Sequence, residues 1–214
     1  MRLSARLGLR LLQMFAGSAI MGVGMAVLVR CSLGLMPWDI WHMGLSEKTG
    51  WTVGVCIQLT NAVVLLGWLF LRVRPGVGTI CGVLVPGWAC DRALELFPAV
   101  WDQWTRLAMV GPGAALFAGG TAFYLAANLG PGPRDGLMTG MVQRYGLRIW
   151  PVRASIEVVV LIIGLLVVGA GETVRKGYLG WTTLALVLVV PPLIGYLKPR
   201  LTLAEQTGAP PLAS

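Results

Sequence analysis

The sequence predicts an all-α, polytopic membrane protein, with about six transmembrane helices in two inverted three-helix repeats and a short broken or interfacial helix in each. Three observations predict it. The chain is 56% hydrophobic and only 12% charged over 214 residues, with a mean hydropathy of +0.75. Soluble domains carry roughly a quarter charged residues, so this chain cannot cover its surface with polar groups and needs lipid around it. Six apolar segments each approach the roughly 20 residues that a helix needs to cross a hydrocarbon core. A phrase built on Gly, Pro and Asp occurs twice, at a constant spacing of 96 positions.

The first segment, Leu7–Val29, follows a basic start with Arg2 and Arg6. It is too long for a signal-peptide core and reads as an uncleaved first span. The first phrase, LGLMPWDIWHMGLSEKTG, runs from Leu33 to Gly50. The second span, Trp51–Leu71, stops at Arg72-Val-Arg-Pro75, and the third, Val77–Phe97, stops at Phe97-Pro98. Asp91 and Arg92 near its end are expected at the membrane surface. The fourth span, Arg106–Leu129, leads into the second phrase, LGPGPRDGLMTGMVQRYG, from Leu129 to Gly146. The fifth is Val152–Ala170, a break covers Gly171 to Lys176, and the sixth is Tyr178–Leu197. The tail from Thr202 to Ser214 reads as disordered. The expected layout is therefore one transmembrane domain over 1–201, with repeat one at about 5–100 and repeat two at about 101–200.

The repeat extends beyond the phrases. At the same offset Arg10 pairs with Arg106, Gly17 with Gly113, Gly24 with Gly120, Ala26 with Ala122, Val63 with Val159 and Leu65 with Leu161. Two copies of an odd-span unit in one chain lie in opposite orientations, as in many secondary transporters. With the N-terminus inside, inner segments hold 11 of the Lys and Arg residues and outer segments 6. The bias favours N-in and C-in. The formal net charge of +8 follows from basic residues at the ends of apolar segments. That distribution fits topology signals and anionic lipid headgroups, and no nucleic-acid partner is expected.

In each phrase a glycine break precedes Pro37 or Pro133. Proline suits the first helical position, where its fixed φ fits and its missing N–H would be unpaired anyway. Asp39 or Asp135 then falls in the first turn, where a carboxylate favours the helix dipole. A short helix should therefore run from each proline to about Gly50 or Gly146. In one reading these helix starts face a shared cavity and form a solute site, since free N–H groups favour anions. Arg134 stands where the first copy has Trp38 and adds a positive charge. In the other reading Pro and Asp only start and cap a surface helix. Glu157, inside the fifth span, matches Asn61 of the first half, and an ionisable residue in a span is a functional candidate. Arg153 can also pair with it at i,i+4 spacing. His42, the only histidine, can relay a proton with Asp39 or serve a structural role. Trp38, Trp41 and Trp51 read first as an interface belt, with stacking on a solute as the second reading. The candidate solute-binding residues are thus Pro37, Trp38, Asp39, His42, Asn61, Pro133, Arg134, Asp135 and Glu157.

Cys31, Cys56, Cys81 and Cys90 show no CxxC or Cys/His spacing, so they read as buried small hydrophobes and no metal is expected. No nucleophile elbow, phosphate loop, zinc helix or nucleotide fingerprint occurs, so neither an enzyme nor a cofactor is expected.

The chain resembles the YczE/YitT-type bacterial integral membrane proteins over about residues 10–197. The resemblance rests on LGLMPWDIWHMGLS (Leu33–Ser46), PGVGT (Pro75–Thr79) and GPGPRDGLMTG (Gly130–Gly140), followed by Arg153 and Glu157. This chain differs at Met36, where a small residue is expected before proline, and at Pro191-Pro192 in its last span. The resemblance implies a bacterial cytoplasmic-membrane location and names no substrate. The favoured expectation is a small permease or exporter of a polar or anionic solute in contact with membrane lipid, with a homo-oligomer left open. The alternative is a non-transporting accessory or regulatory membrane protein that binds a protein partner.

Overall fold

The computed structural model describes residues 2–100 and 102–202, so the tail expectation for 202–214 falls almost wholly outside the described residues. The described residues form nine helices: α1 (Arg2–Cys31), α2 (Pro37–Thr49), α3 (Val53–Leu71), α4 (Val77–Leu96), α5 (Gln103–Ala126), α6 (Pro133–Tyr145), α7 (Ile149–Val168), α8 (Ala170–Arg175) and α9 (Trp181–Leu201). Five of them, α1 from Leu7, α3, α5, α7 and α9, are long and apolar enough to cross a membrane. The expected third span forms as α4, 20 residues long, but it carries Asp91, Arg92 and Glu95 in its last turns and is less apolar than the other five. The break expected at Gly171–Lys176 contains instead the six-residue helix α8, set off from α7 at Gly169.

The two phrases follow the same backbone path. Ser32 and Asn128 adopt positive φ of 47° and 50°, and Gly34 and Gly130 follow at 136° and 131°. Met36 and Gly132 are extended, and Pro37 and Pro133 then start α2 and α6. Both short helices end on a left-handed glycine, Gly50 at φ 74° and Gly146 at φ 64°, which is where a helix C-terminus favours a residue without a Cβ.

α1 is the central helix, its span more buried than the other four. It packs along α5 in the opposite direction, with Gly17 against Tyr124, Gly24 against Phe117 and Leu28 against Gly113. Glycine permits backbones to meet that closely. A Cβ at Gly17 would lie 2.4 Å from the Tyr124 nitrogen, and one at Gly24 2.4 Å from the Phe117 nitrogen. α4 packs on the opposite flank of α1, and α9 packs on α5. α2 lies on α7, with Gly44 against Val168, and α6 lies on α3, with Gly136 against the Trp68 ring. The core fills the space among α1, α3, α5 and α9 with Met25, Leu28, Ile57, Phe117, Leu186 and Val190. The outer faces of α7 and α9 carry exposed Ile162, Leu166, Leu184 and Leu188. An apolar surface of that extent requires lipid or a partner.

Side chains also tie helix ends together. Asp91 of α4 accepts from the Thr52 hydroxyl at 2.6 Å and the Gly54 N–H at 2.7 Å, so it caps α3 as well as standing near the helix end. Asp102 caps α5 by accepting from the Thr105 N–H and hydroxyl, both at 2.8 Å, and those bonds hold its carboxyl below the usual range. Arg10 donates to Ala127 O at 2.9 Å, at the end of α5. The four cysteines are free and buried.

The close crossing of α1 and α5 sets a test. Gly24→Val should lower the unfolding free energy by about 1–3 kcal/mol or prevent accumulation, because a well-packed contact gains volume. Gly111→Ala, where nothing lies within 4 Å of the added atom, should leave the thermal midpoint of the detergent-purified protein within a degree or two of wild type.

Candidate functional site

The phrases position the starts of α2 and α6 side by side. Their backbone cannot complete its hydrogen bonds within a helix there, and the opposite half of the chain supplies the partners. Leu35 N–H donates to Tyr178 O at 2.8 Å, and the Thr182 hydroxyl donates to Leu33 O. Gly78 N–H donates to Leu129 O at 2.9 Å, and the Thr79 hydroxyl donates to Pro131 O at 3.0 Å. Trp68 Nε1 donates to Pro133 O at 3.0 Å. On the far end of α2, Glu47 accepts from Lys176 at 2.8 Å and from the Tyr178 hydroxyl at 2.7 Å. Burial, and then the Glu47 carboxylate, push the Tyr178 phenol above its ordinary range.

Between the helix starts lies a cavity of about 160 Å³. Six of the nine candidate residues line it: Trp38, Asn61, Pro133, Arg134, Asp135 and Glu157. Pro37, Asp39 and His42 do not; they are buried within α2 behind that wall. Arg153 of α7 and Tyr124 of α5 join the wall. Tyr124 donates its hydroxyl to Gly78 O at 2.8 Å.

Arg134 and Trp38 occupy the same position of the two phrases, and they touch. The guanidinium carbon stands 4.5 Å from the centre of the Trp38 ring, within the range of a cation–π contact. Trp38 is therefore buried against Arg134 and is not part of an interface belt; Trp51 is half exposed, and Trp41 donates to Thr60 Oγ1 at 3.0 Å. Among the described residues no hydrogen bond or close ion pair reaches the Arg134 guanidinium or that of Arg153. The i,i+4 pairing of Arg153 with Glu157 is thus not made, although both stand at the cavity.

Acceptors stand unpaired on the same wall. Asn61 donates weakly through Nδ2 to Gly82 O at 3.4 Å, which leaves Oδ1 buried and without a partner. Glu157 Oε2 is in the same condition. Behind the wall, His42 Nδ1 lies 3.6 Å from Asp39 Oδ1, beyond good hydrogen-bond length, and both atoms and His42 Nε2 lack partners. Asp39 makes no cap bond to its own helix. Buried polar groups are normally paired, so a cluster of exceptions marks a place where something other than packing governs the residues.

The family model that describes DUF6198, a family of unknown function, matches residues 8–199. The chain belongs to that family. Its relatives include an uncharacterized protein of Haemophilus influenzae, 35% identical over 165 residues that cover 76% of each chain. They also include the uncharacterized membrane protein YczE of Bacillus subtilis, 30% identical over 150 residues and 69% of each chain. The expected YczE-type membership is thereby established, and the chain is an integral membrane protein of this family. No solved structure matches.

Sequence reasoning missed the role of Tyr124, which has no counterpart at the repeat offset, where Leu28 stands. It also missed the methionines Met21, Met25, Met36 and Met138, which supply much of the apolar wall. Neither residue type carries a motif. Their positions become meaningful only once α1 and α5 are laid together.

Unpaired buried groups destabilise the fold they sit in, so relieving their charge should not harm it. Asp39→Asn and Glu157→Gln should each leave the thermal midpoint equal to or above wild type. A loss equivalent to more than about 2 kcal/mol would instead identify a structural ion pair.

Proposed function

We propose that this chain is a small-solute permease or exporter of the bacterial cytoplasmic membrane, with its solute site in the cavity between the two phrases. The observation that carries this reading is the positively charged Arg134, outside any ion pair and set over Trp38, in a largely apolar cavity at the junction of two helix starts. Broken helices whose ends face a shared cavity are the usual site architecture of secondary transporters. The wall supplies charge, hydrogen-bond donors and acceptors, and an adaptable apolar surface, which suits reversible binding more than the fixed nucleophile and base of an enzyme.

Two inverted halves with six spans, N-in and C-in, complete the proposal. The antiparallel α1 and α5 support it, because their contacts exchange under the repeat. Gly17 meets Tyr124 and Gly113 meets Leu28, so each contact is the other shifted by the repeat spacing of 96. The charge distribution supports the orientation. Alternating access would then rock one half against the other about this contact.

Two experiments test the reading. In intact cells, a membrane-impermeant maleimide should label Trp51→Cys directly and Leu147→Cys only after permeabilisation. These exposed positions correspond in the two repeats, and the buried native cysteines give little background. Labelling of both from one side rejects the inverted arrangement. In proteoliposomes, Arg134→Gln should reduce solute flux at least tenfold while the protein remains folded, as judged by its thermal midpoint. Undiminished flux places the site elsewhere.

A further inference from the structure

The permease reading leaves the solute open, and the cavity wall narrows it. The wall presents two kinds of unpaired polar group. Arg134 and Arg153 offer donors that no described side chain or carbonyl accepts. Asn61 Oδ1 and Glu157 Oε2 offer acceptors that no described group donates to, and Asn61 is only 4% exposed. A solute that carries only an anion satisfies the first set and leaves the second bare. A solute that carries only a cation does the reverse. Leaving a buried polar group unmet is unfavourable, so the wall discriminates against both.

Net charge points the same way. On the cavity wall Arg134 and Arg153 stand against Asp135 and Glu157. The set is formally neutral. A solute with net charge would add an uncompensated ion to a low-dielectric space, which is strongly disfavoured. A zwitterion adds none. The two signs are also kept apart in advance. Stacking on Trp38 holds the Arg134 guanidinium where it makes no ion pair with Glu157, so neither group must be released before a solute enters.

We propose that the solute is a small zwitterion with an apolar body, its anionic group on Arg134 and Arg153 and its ammonium group on Asn61 Oδ1 and Glu157. The body would lie against Met21, Met25, Met36, Met138 and Phe117. Methionine thioethers are flexible and polarizable, so this wall accepts a range of apolar shapes. A void of about 150 Å³ takes a benzene-sized molecule, so this cavity suits a solute of roughly six to ten non-hydrogen atoms. Amino acids with small or medium apolar side chains have this chemistry. The inference rests on the permease reading, since it assigns the chemistry of that same site.

The test uses the full-length protein in detergent and three matched probes: L-leucine, 4-methylpentanoate, which lacks the amine, and 3-methylbutylamine, which lacks the carboxylate. L-leucine should raise the thermal midpoint by several degrees at millimolar concentration, and each single-charge probe should bind at least tenfold more weakly. Arg134→Gln should weaken L-leucine at least tenfold, and Glu157→Gln should reverse the preference toward 4-methylpentanoate. If either single-charge probe binds as well as L-leucine, the zwitterion inference is overturned and the site remains a solute site. The same holds if an inorganic or organic anion binds and none of the apolar amino acids does. If no amino acid, anion or amine shifts the midpoint and none enters proteoliposomes, the permease reading falls with it.

Discussion

The chain leaves its helix twice inside an apolar fold, and everything else depends on how those two breaks are satisfied. Lipid cannot bond a stray carbonyl or N–H group, so irregular backbone survives only where protein or a water-lined cavity meets it. Here each break is met from the other half of the chain. α9 and the loop before it bind the first phrase through Thr182 and Tyr178 O, and the start of α4 binds the second through Gly78 N–H and Thr79. Both clamping helices begin with Gly-x-x-Thr, at Gly76–Thr79 and Gly180–Thr183, and in both the threonine hydroxyl closes back on the glycine N–H. The glycines are required by proximity. A Cβ at Gly76 would stand 2.6 Å from Leu129 O, and one at Gly180 2.2 Å from Leu33 O. Neither phrase can therefore hold its shape without the half it does not belong to.

That reciprocal clamp brings equivalent positions together, and it explains the most conspicuous difference between the copies. Trp38 and Arg134 hold one position of the repeat and lie on one another. Two arginines there would repel, and two tryptophans would fill the space with no charge. The mixed pair gives attraction and leaves one guanidinium with its edge free. The same logic extends to the next pair of equivalents, Asn61 and Glu157, which face the same cavity with different charge. The repeat sets the frame, and the departures from it set the polarity of the site.

Much of this was legible in the sequence. The apolar runs fixed the long helices to within a few residues, since hydrophobic length is a strong signal. Pro37 and Pro133 marked the starts of α2 and α6, and Gly50 and Gly146 their ends, because cap chemistry is local. The clamp was not legible. After α7 the chain inserts α8, and the matching Gly and Thr of α4 and α9 fall 104 positions apart instead of 96. A comparison at one offset loses them. Nor could any local rule predict that Trp38 would leave the interface for the interior. Its environment is made by Arg134, nearly a hundred residues away, and by the crossing of helices that share no sequence neighbourhood. Asp39 looked like a cap because Asp in a first turn usually is one; it is buried instead, with Oδ1 3.6 Å from His42 Nδ1.

Backbone and side chains differ around the two phrases in how far their polar groups are met. Broken carbonyls and N–H groups of both phrases find partners across the molecule, through bonds that need exact glycine and threonine placement. Asp39, His42, Asn61 and Glu157 nevertheless retain buried atoms with no hydrogen-bond partner. Among the described residues such atoms otherwise occur only on Gln13 and Arg30. Natural sequences break the rule of local consistency mainly where function requires it. The stranded groups, together with an arginine held on an aromatic face and not in an ion pair, are the observations on which the proposed solute site rests.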